Sequence, residues 1–109
     1  MFHDKMVFIL YTKEEAKALG QMLSAEGILW VDGTDPACDV FFTEGFTLWF
    51  LSSHAASPSL SLTWMGTISR TKEDCLNYAR DYGYEPPIEF RAWAPGIAPC
   101  EISSIDELI

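Results

Sequence analysis

Residues 39–54, DVFFTEGFTLWFLSSH, combine four phenylalanines, one tryptophan and two leucines with a central Glu44-Gly45 pair. A transmembrane helix needs about 20 consecutive apolar residues. The apolar run that follows Gly45 reaches only from Phe46 to Leu51 before small and polar residues begin. The stretch therefore predicts a strand in a folded core, or a surface that binds a partner, rather than a membrane span. We expect residues 40–42 and 46–51 to form a hairpin that turns at Glu44-Gly45.

Alternation divides the second strand of this hairpin into two faces, because successive side chains point to opposite sides of a sheet. Phe46, Leu48 and Phe50 share one face, which we assign to the core beneath the helices. Trp49 and Leu51 share the other face. If the C-terminal segment covers that face, the stretch is only a core hairpin. If nothing covers it, it is an interaction surface, because large exposed apolar patches mark binding sites.

A second strand, predicted over residues 60–70, supplies the neighbours of both faces. Its apolar set (Leu60, Leu62 and Trp64) is expected to join the Phe46 face. The hydroxyl-rich set, which includes Met65, then lies beside Trp49 and Leu51. Aromatic residues and methionine are enriched in protein interfaces. The predicted partner-binding surface consists of Trp49, Leu51, Met65 and Trp93, with Asp32, Asp35, Asp39 and Glu44 as its acidic part.

The remaining pattern predicts an α+β fold in which two helices pack on one face of a mostly antiparallel sheet. Capping boxes at Thr12 and Thr71 begin the helices, and Gly27 and Gly83 end them. The other strands are expected over residues 5–11, 28–31 and 88–93. The order β-α-β-(hairpin)-β-α-β is that of a ferredoxin-like fold with an added hairpin. Residues 1–94 form the single predicted domain, and residues 95–109 are a tail or a short docking helix.

The two helical segments also resemble each other. Both begin Thr-Lys-Glu-acid, at Thr12 and Thr71, which are 59 residues apart. With that offset Ala16 aligns with Cys75, and the two apolar stripes coincide. This agreement is consistent with a duplicated β-α-β unit, although capping boxes also recur by chance.

Charge narrows the possible partners. The 109 residues contain 7 basic and 16 acidic side chains, a net charge of −9, and none of residues 18–69 is Lys or Arg. A basic footprint for nucleic acid is absent, and no polybasic run favours an anionic membrane surface. The acids favour solubility and a partner with a basic surface. Three cysteines without a paired spacing indicate a reducing compartment, so we expect a cytoplasmic protein without a leader peptide.

No motif for catalysis, nucleotide binding or metal binding is present, and we expect neither a cofactor nor a catalytic residue. Cys75 lies on an apolar stripe, which indicates a buried structural thiol. Cys38, His54 and the acidic loop are the residues from which a minor enzyme or a metal site could be built, but their spacing matches no known site.

Three functions remain open at this level. The favoured one is a small acidic, non-enzymatic protein-binding module or inhibitor that occupies a partner's basic surface. Anti-defence proteins of viruses and mobile elements, and immunity proteins, belong to this class. The alternative is a small-ligand sensor domain that acts as a homodimer, which the internal resemblance favours. An enzyme is the third.

Overall fold

The computed structural model describes residues 2–54, 57–67 and 70–94. The C-terminal segment 95–109, for which a tail or docking helix is predicted, lies outside the described residues. The elements are β1 (Val7–Leu10), α1 (Lys13–Ala25), β2 (Leu29–Trp30), β3 (Thr47–His54), β4 (Ser57–Gly66), α2 (Lys72–Asp81), β5 (Ile88–Glu89) and α3 (Phe90–Trp93). Together they form a small α+β fold.

Both long helices begin as the capping boxes predict. The Thr12 hydroxyl accepts a hydrogen bond from the Glu15 N–H at the start of α1, and Thr71 does the same for Asp74 in α2. The glutamate and aspartate carboxylates bond back to the backbone N–H of the capping residue, which satisfies a second free donor. After α1 the chain turns at Gly27, whose φ of 77° suits a residue without Cβ.

The sheet has five strands in the order β2-β4-β3-β1-β5. The two central pairs, β1 with β3 and β3 with β4, are antiparallel, whereas the edge strands β2 and β5 run parallel to β4 and β1. The sheet is therefore mixed, and the ferredoxin-like, mostly antiparallel arrangement is not confirmed. The chain instead consists of two β-α-β crossovers, β1-α1-β2 and β4-α2-β5, with β3 between them.

The prediction that both helices pack on one face of the sheet is wrong. The alternating side chains of β1 separate into two cores: Phe8 and Leu10 pack with α1, whereas Val7 and Ile9 pack with α2. The physical reason is the handedness of the crossovers. The β1-to-β2 connection moves toward one edge of the sheet and the β4-to-β5 connection toward the other. Right-handed crossovers in opposite directions place their helices on opposite faces.

The strand register corrects the predicted faces of β3. Trp49 lies opposite Trp64 and Leu51 opposite Leu62, so the apolar set of β4 joins Trp49 and Leu51 rather than the Phe46 face. This set packs beneath α1. The Phe46, Leu48 and Phe50 face is buried, as predicted, but beneath α2 and beside Met65. A one-residue difference in register exchanges the faces that meet.

Two predicted strands are also wrong. Residues 40–42 do not pair with β3, although Gly45 does form the predicted turn, with φ 93°. The strand predicted over 88–93 ends after two residues and continues as the single turn α3. Helical spacing brings Phe90, Trp93 and Ala94 onto the same α1-side core, whereas alternation would turn neighbouring side chains away from it.

Candidate functional site

Trp49 is covered by a segment of its own chain, residues 36–43, which we call the covering segment. The indole Nε1 of Trp49 donates a 2.8 Å hydrogen bond to the Phe41 carbonyl, and Nε1 of Trp30 donates a 2.7 Å bond to the Asp39 carbonyl. The Phe41 ring packs edge-to-face on Trp30 and stacks on Trp64. This segment is the part of the chain predicted as the first strand of the hairpin. Its backbone carbonyls instead satisfy buried indole donors.

Gly20 allows the covering segment to approach α1. A Cβ added at this helical position would lie 2.3 Å from the Pro36 carbonyl oxygen. Three elements therefore cover this face of the sheet: α1, α3 and the covering segment.

Burial removes two members of the predicted partner-binding surface. Trp49 and Leu51 are 0% exposed, so the expectation that they lie on an open face is wrong. Trp93 is half-buried and packs against Phe2 and Phe8, on the same side as α1. Met65 is half-buried on the opposite side, with α2. The four residues are thus divided between the two faces and do not form one surface.

The acidic residues lie at the surface but are spread along a rim. Asp39 lines a groove together with Lys13 and Lys17, and Glu44 lies near Lys13 in a neighbouring groove, so α1 lysines offset both. Asp32 lies two residues after the end of β2 and lines neither of these two grooves. The Thr34 hydroxyl and N–H bond to the Asp32 carboxylate and lower its pKa.

Asp35 is held in a similar turn. The N–H of Ala37 and then the Ser24 side chain lower the pKa of the Asp35 carboxyl. Both aspartates therefore remain charged at neutral pH, and the rim beside β2 carries negative charge.

The face on the α2 side differs from the α1 side because part of it is uncovered in the described structure. The described residues contain five exposed large apolar side chains, and four of these lie on the α2 side: Leu29, Val31, Tyr78 and Tyr82. Leu29 is on this side because its neighbour Trp30 packs in the α1-side core. We place Val31 on the same side because its N–H continues the pairing with the Leu62 carbonyl just after β2. Tyr78 is placed here by its contact with Phe50, at 5.6 Å between ring centroids.

Between these apolar side chains runs a strip of sheet, which we call the open strip. Its floor is the hydroxyl-rich face of β4, where Ser61 lies opposite Leu29 of β2. Its α2 wall carries the stacked rings of Tyr78 and Tyr82, 4.3 Å apart. The residues of the open strip are Leu29, Val31, Ser61, Thr63, Met65, Tyr78 and Tyr82. Met65 is the one member of this set that the sequence predicts as a binding residue, because the strand pairing that exposes the others is long-range.

A nearly buried polar network links α1 to α3 on the closed side. Glu15 is 4% exposed and its Oε1 accepts a 2.7 Å bond from the Tyr11 N–H, while Oε2 is 2.6 Å from Nε of Arg91. The Arg91 guanidinium also lies over the Tyr11 ring. Burial, and next the bond to Glu89, raise the Tyr11 pKa. This network joins α1 to α3 and is satisfied internally, so it is structural.

Neither of the described cysteines, Cys38 and Cys75, has the surroundings of a reactive thiol. Cys75 is buried, and desolvation raises the pKa of its thiol, which suppresses the nucleophilic thiolate. Cys38 is exposed, and the His54 side chain lies outside the described part. Within residues 2–54, 57–67 and 70–94, no group of three or more His, Cys, Asp or Glu side chains is placed to hold a metal ion.

No helix in the described ranges has both the length and the apolarity required to span a bilayer. The chain matches no known protein family, no curated protein and no solved structure.

Proposed function

We propose that this chain is a small, acidic, non-enzymatic protein-binding module that docks its partner on the open strip. The observation that carries the proposal is the exposure of Leu29, Val31, Tyr78 and Tyr82 on one side of the sheet, with Val31 61% and Tyr82 64% exposed. Tyrosines on a rigid helix are efficient anchors, since they bury a large area with few rotatable bonds.

The charge around the strip favours a partner with a basic surface. Glu26 and Asp32 flank β2, and the chain has no Lys or Arg from residue 18 to residue 69. Such acids raise the rate of association with a basic partner and select against acidic ones. An inhibitor that occupies a basic groove, as anti-defence and immunity proteins do, is the proposed biological role. A reducing compartment such as the cytoplasm suits its free thiols.

A photo-crosslinking amino acid at the position of Val31 or Tyr82 tests this proposal in the source cell. We expect a discrete adduct with one protein at both positions, and weaker cross-linking at high ionic strength because salt screens the acids. Gln21, exposed on α1 at the opposite face, is the control position. The proposal is contradicted if the strip positions give no adduct, or if Gln21 gives the same adduct.

The alternative, a small-ligand sensor acting as a homodimer, is favoured by one observation. The offset of 59 residues relates Thr12 to Thr71 at the helix caps and also relates β2 to β5, since Leu29 aligns with Ile88. Each unit thus makes the same crossover, as a duplicated domain would. Light scattering on the purified protein tests this alternative: a monomer at all concentrations would rule out the dimeric sensor.

A further inference from the structure

From the geometry of the strip we infer that the partner segment is a basic amphipathic α-helix, which lies on the open strip beside α2. This inference rests on the proposed function and specifies what the binding module recognises.

The width of the strip suits one helix. Leu29 is on the edge strand β2, Val31 directly follows that strand, and Phe50, beneath Tyr78, is on β3, two strands away. Two strand spacings amount to about 10 Å, which matches the diameter of roughly 10 Å of an α-helix with side chains. On this side α2 already covers β1 and β3. A second helix beside it would complete the layer, as helices pack 8–10 Å apart.

The sheet edge at β2 is closed to an added strand. The outward N–H of Trp30 donates a hydrogen bond to the Thr34 carbonyl, and the Trp30 carbonyl accepts one from the Gly33 N–H. The other groups of this strand bond inward, as shown by the Val31 N–H on the Leu62 carbonyl. A partner strand would find no free ladder here, and blocked edges of this kind prevent strand addition. On this side of the molecule the face of the sheet, rather than its β2 edge, is therefore the docking surface.

Acidic residues line both walls of the strip. Asp32 follows Val31 at the β2 wall. On the α2 wall, Asp74 lines a groove of 380 Å³ with Tyr78, Tyr82 and Met65, and Asp81, two turns further on, is exposed beside Arg80. Arg70 is a cation at one end of the same groove. A helix with apolar residues at i, i+3, i+4 and i+7 and lysine or arginine on both flanks complements this pattern.

A second copy of the chain fits the strip less well. In a two-fold dimer the strip would meet itself, so Asp32 and Asp74 at its walls would face the same acids of the second copy. The net charge of −9 adds repulsion between two copies. A foreign basic helix meets neither obstacle.

Three synthetic peptides of about 18 residues, or five helical turns, test the inference with the full-length, methyl-labelled protein. The first contains leucine and lysine at helical spacing, the second has the same composition in strict alternation, and the third replaces lysine by glutamate in the helical pattern. We expect the first to shift the methyl resonances of Leu29, Val31 and Met65. It should bind at least about tenfold more tightly than the other two. The second peptide has no continuous apolar face as a helix, and the glutamates of the third are repelled by the acidic walls.

Variants locate the binding. Val31→Ser and Tyr82→Ser should each weaken binding of the first peptide by about tenfold, whereas Gln21→Ser should leave it unchanged. The inference is overturned if no peptide binds, if the alternating peptide binds as tightly as the helical one, or if the shifts lie away from the strip. If a cross-linked adduct still forms at Val31 in cells in those cases, the proposed binding function stands and only the helical form of the partner is wrong. If no adduct forms at Val31 either, both the proposed function and the helical partner are wrong.

Discussion

The two β-α-β units have the same type of crossover connection, but the chain covers the helix of the first unit more completely than that of the second. In the first unit Leu19 and Leu23 of α1 are 0% exposed. The positions 59 residues later are Tyr78 of α2 and Tyr82, the residue that caps the end of α2, and they are 37% and 64% exposed. The difference is not in the helix pattern, which places large side chains at the same positions. It arises because the first unit has the covering segment and α3 on its face, and the second unit has no described counterpart of either.

This contrast explains why one face is a core and the other a candidate docking surface. A leucine at a covered position contributes its full burial, about 1.5–3 kcal/mol. A tyrosine at an uncovered position keeps that free energy available for binding, and its hydroxyl makes exposure tolerable. Comparison of matched positions therefore separates stability from function.

Substitutions at Leu23 and at the aligned position, Tyr82, should show the largest difference in stability between the two units. Leu23→Ala should lower the free energy of unfolding by about 3 kcal/mol, as for other large-to-small changes at fully buried sites. Tyr82→Ala should change it by less than about 0.5 kcal/mol, as at most surface positions. Urea unfolding of both variants measures the two values. Similar losses would mean that the second unit is covered as well as the first.

The two capping acids offer the next comparison. Glu15→Ala removes a nearly buried carboxylate that holds the Tyr11 N–H and Arg91, and should cost about 2 kcal/mol because Arg91 is partly exposed and can regain water. Asp74→Ala removes only an exposed cap contact and should cost about 0.5–1 kcal/mol. Thermal unfolding at one pH ranks them. Equal losses would show that the link from α1 to α3 contributes nothing.

Gly20→Ala probes the approach of the covering segment. Alanine raises helix propensity, but its Cβ would collide with the Pro36 carbonyl. We expect a net loss of about 1–2 kcal/mol, in the range of overpacked cores, and faster hydrogen exchange in residues 37–43. The aligned position, Ala79, already carries a Cβ at 0% exposure, so Ala79→Gly should cost only about 1 kcal/mol of propensity. A stabilised Gly20→Ala would contradict the close contact.

The smallest effect concerns the turn that closes the β2 edge. The pKa of Asp32 is lowered in the folded state, so its contribution to stability is present above its unfolded value near 3.8 and is lost as pH falls through the folded value. Asp32→Asn should therefore lower stability slightly at neutral pH, and the difference from the parent should shrink on acidification below 3.8. Acid titration of the unfolding midpoint detects this. If the stability difference between the variant and the parent is the same at every pH, it does not come from the charge of the Asp32 carboxylate.

Local patterns predicted much of the architecture. The capping boxes at Thr12 and Thr71, the buried strand β1 and the presence of strand β4 are encoded in neighbouring residues, and the structure confirms them. The opposite placement of the helices depends on the order of strands, which no local pattern contains. The burial of Trp49 and Leu51 depends on a one-residue register and on the carbonyls of a segment that has no regular structure. The open strip could have been suspected from Tyr78 and Tyr82, which occupy apolar-stripe positions with side chains that tolerate water.

The central claim is that the α2 side of the sheet is open to solvent and the α1 side is closed by the chain itself. Methyl NMR of the full-length protein with a soluble gadolinium chelate measures this directly, because relaxation increases only where the chelate can approach. We expect strong broadening for the methyl groups of Leu29 and Val31 and little for those of Leu19 and Leu23. Protection of Leu29 and Val31 equal to that of Leu23 would show that the chain covers its own strip, and would contradict the account.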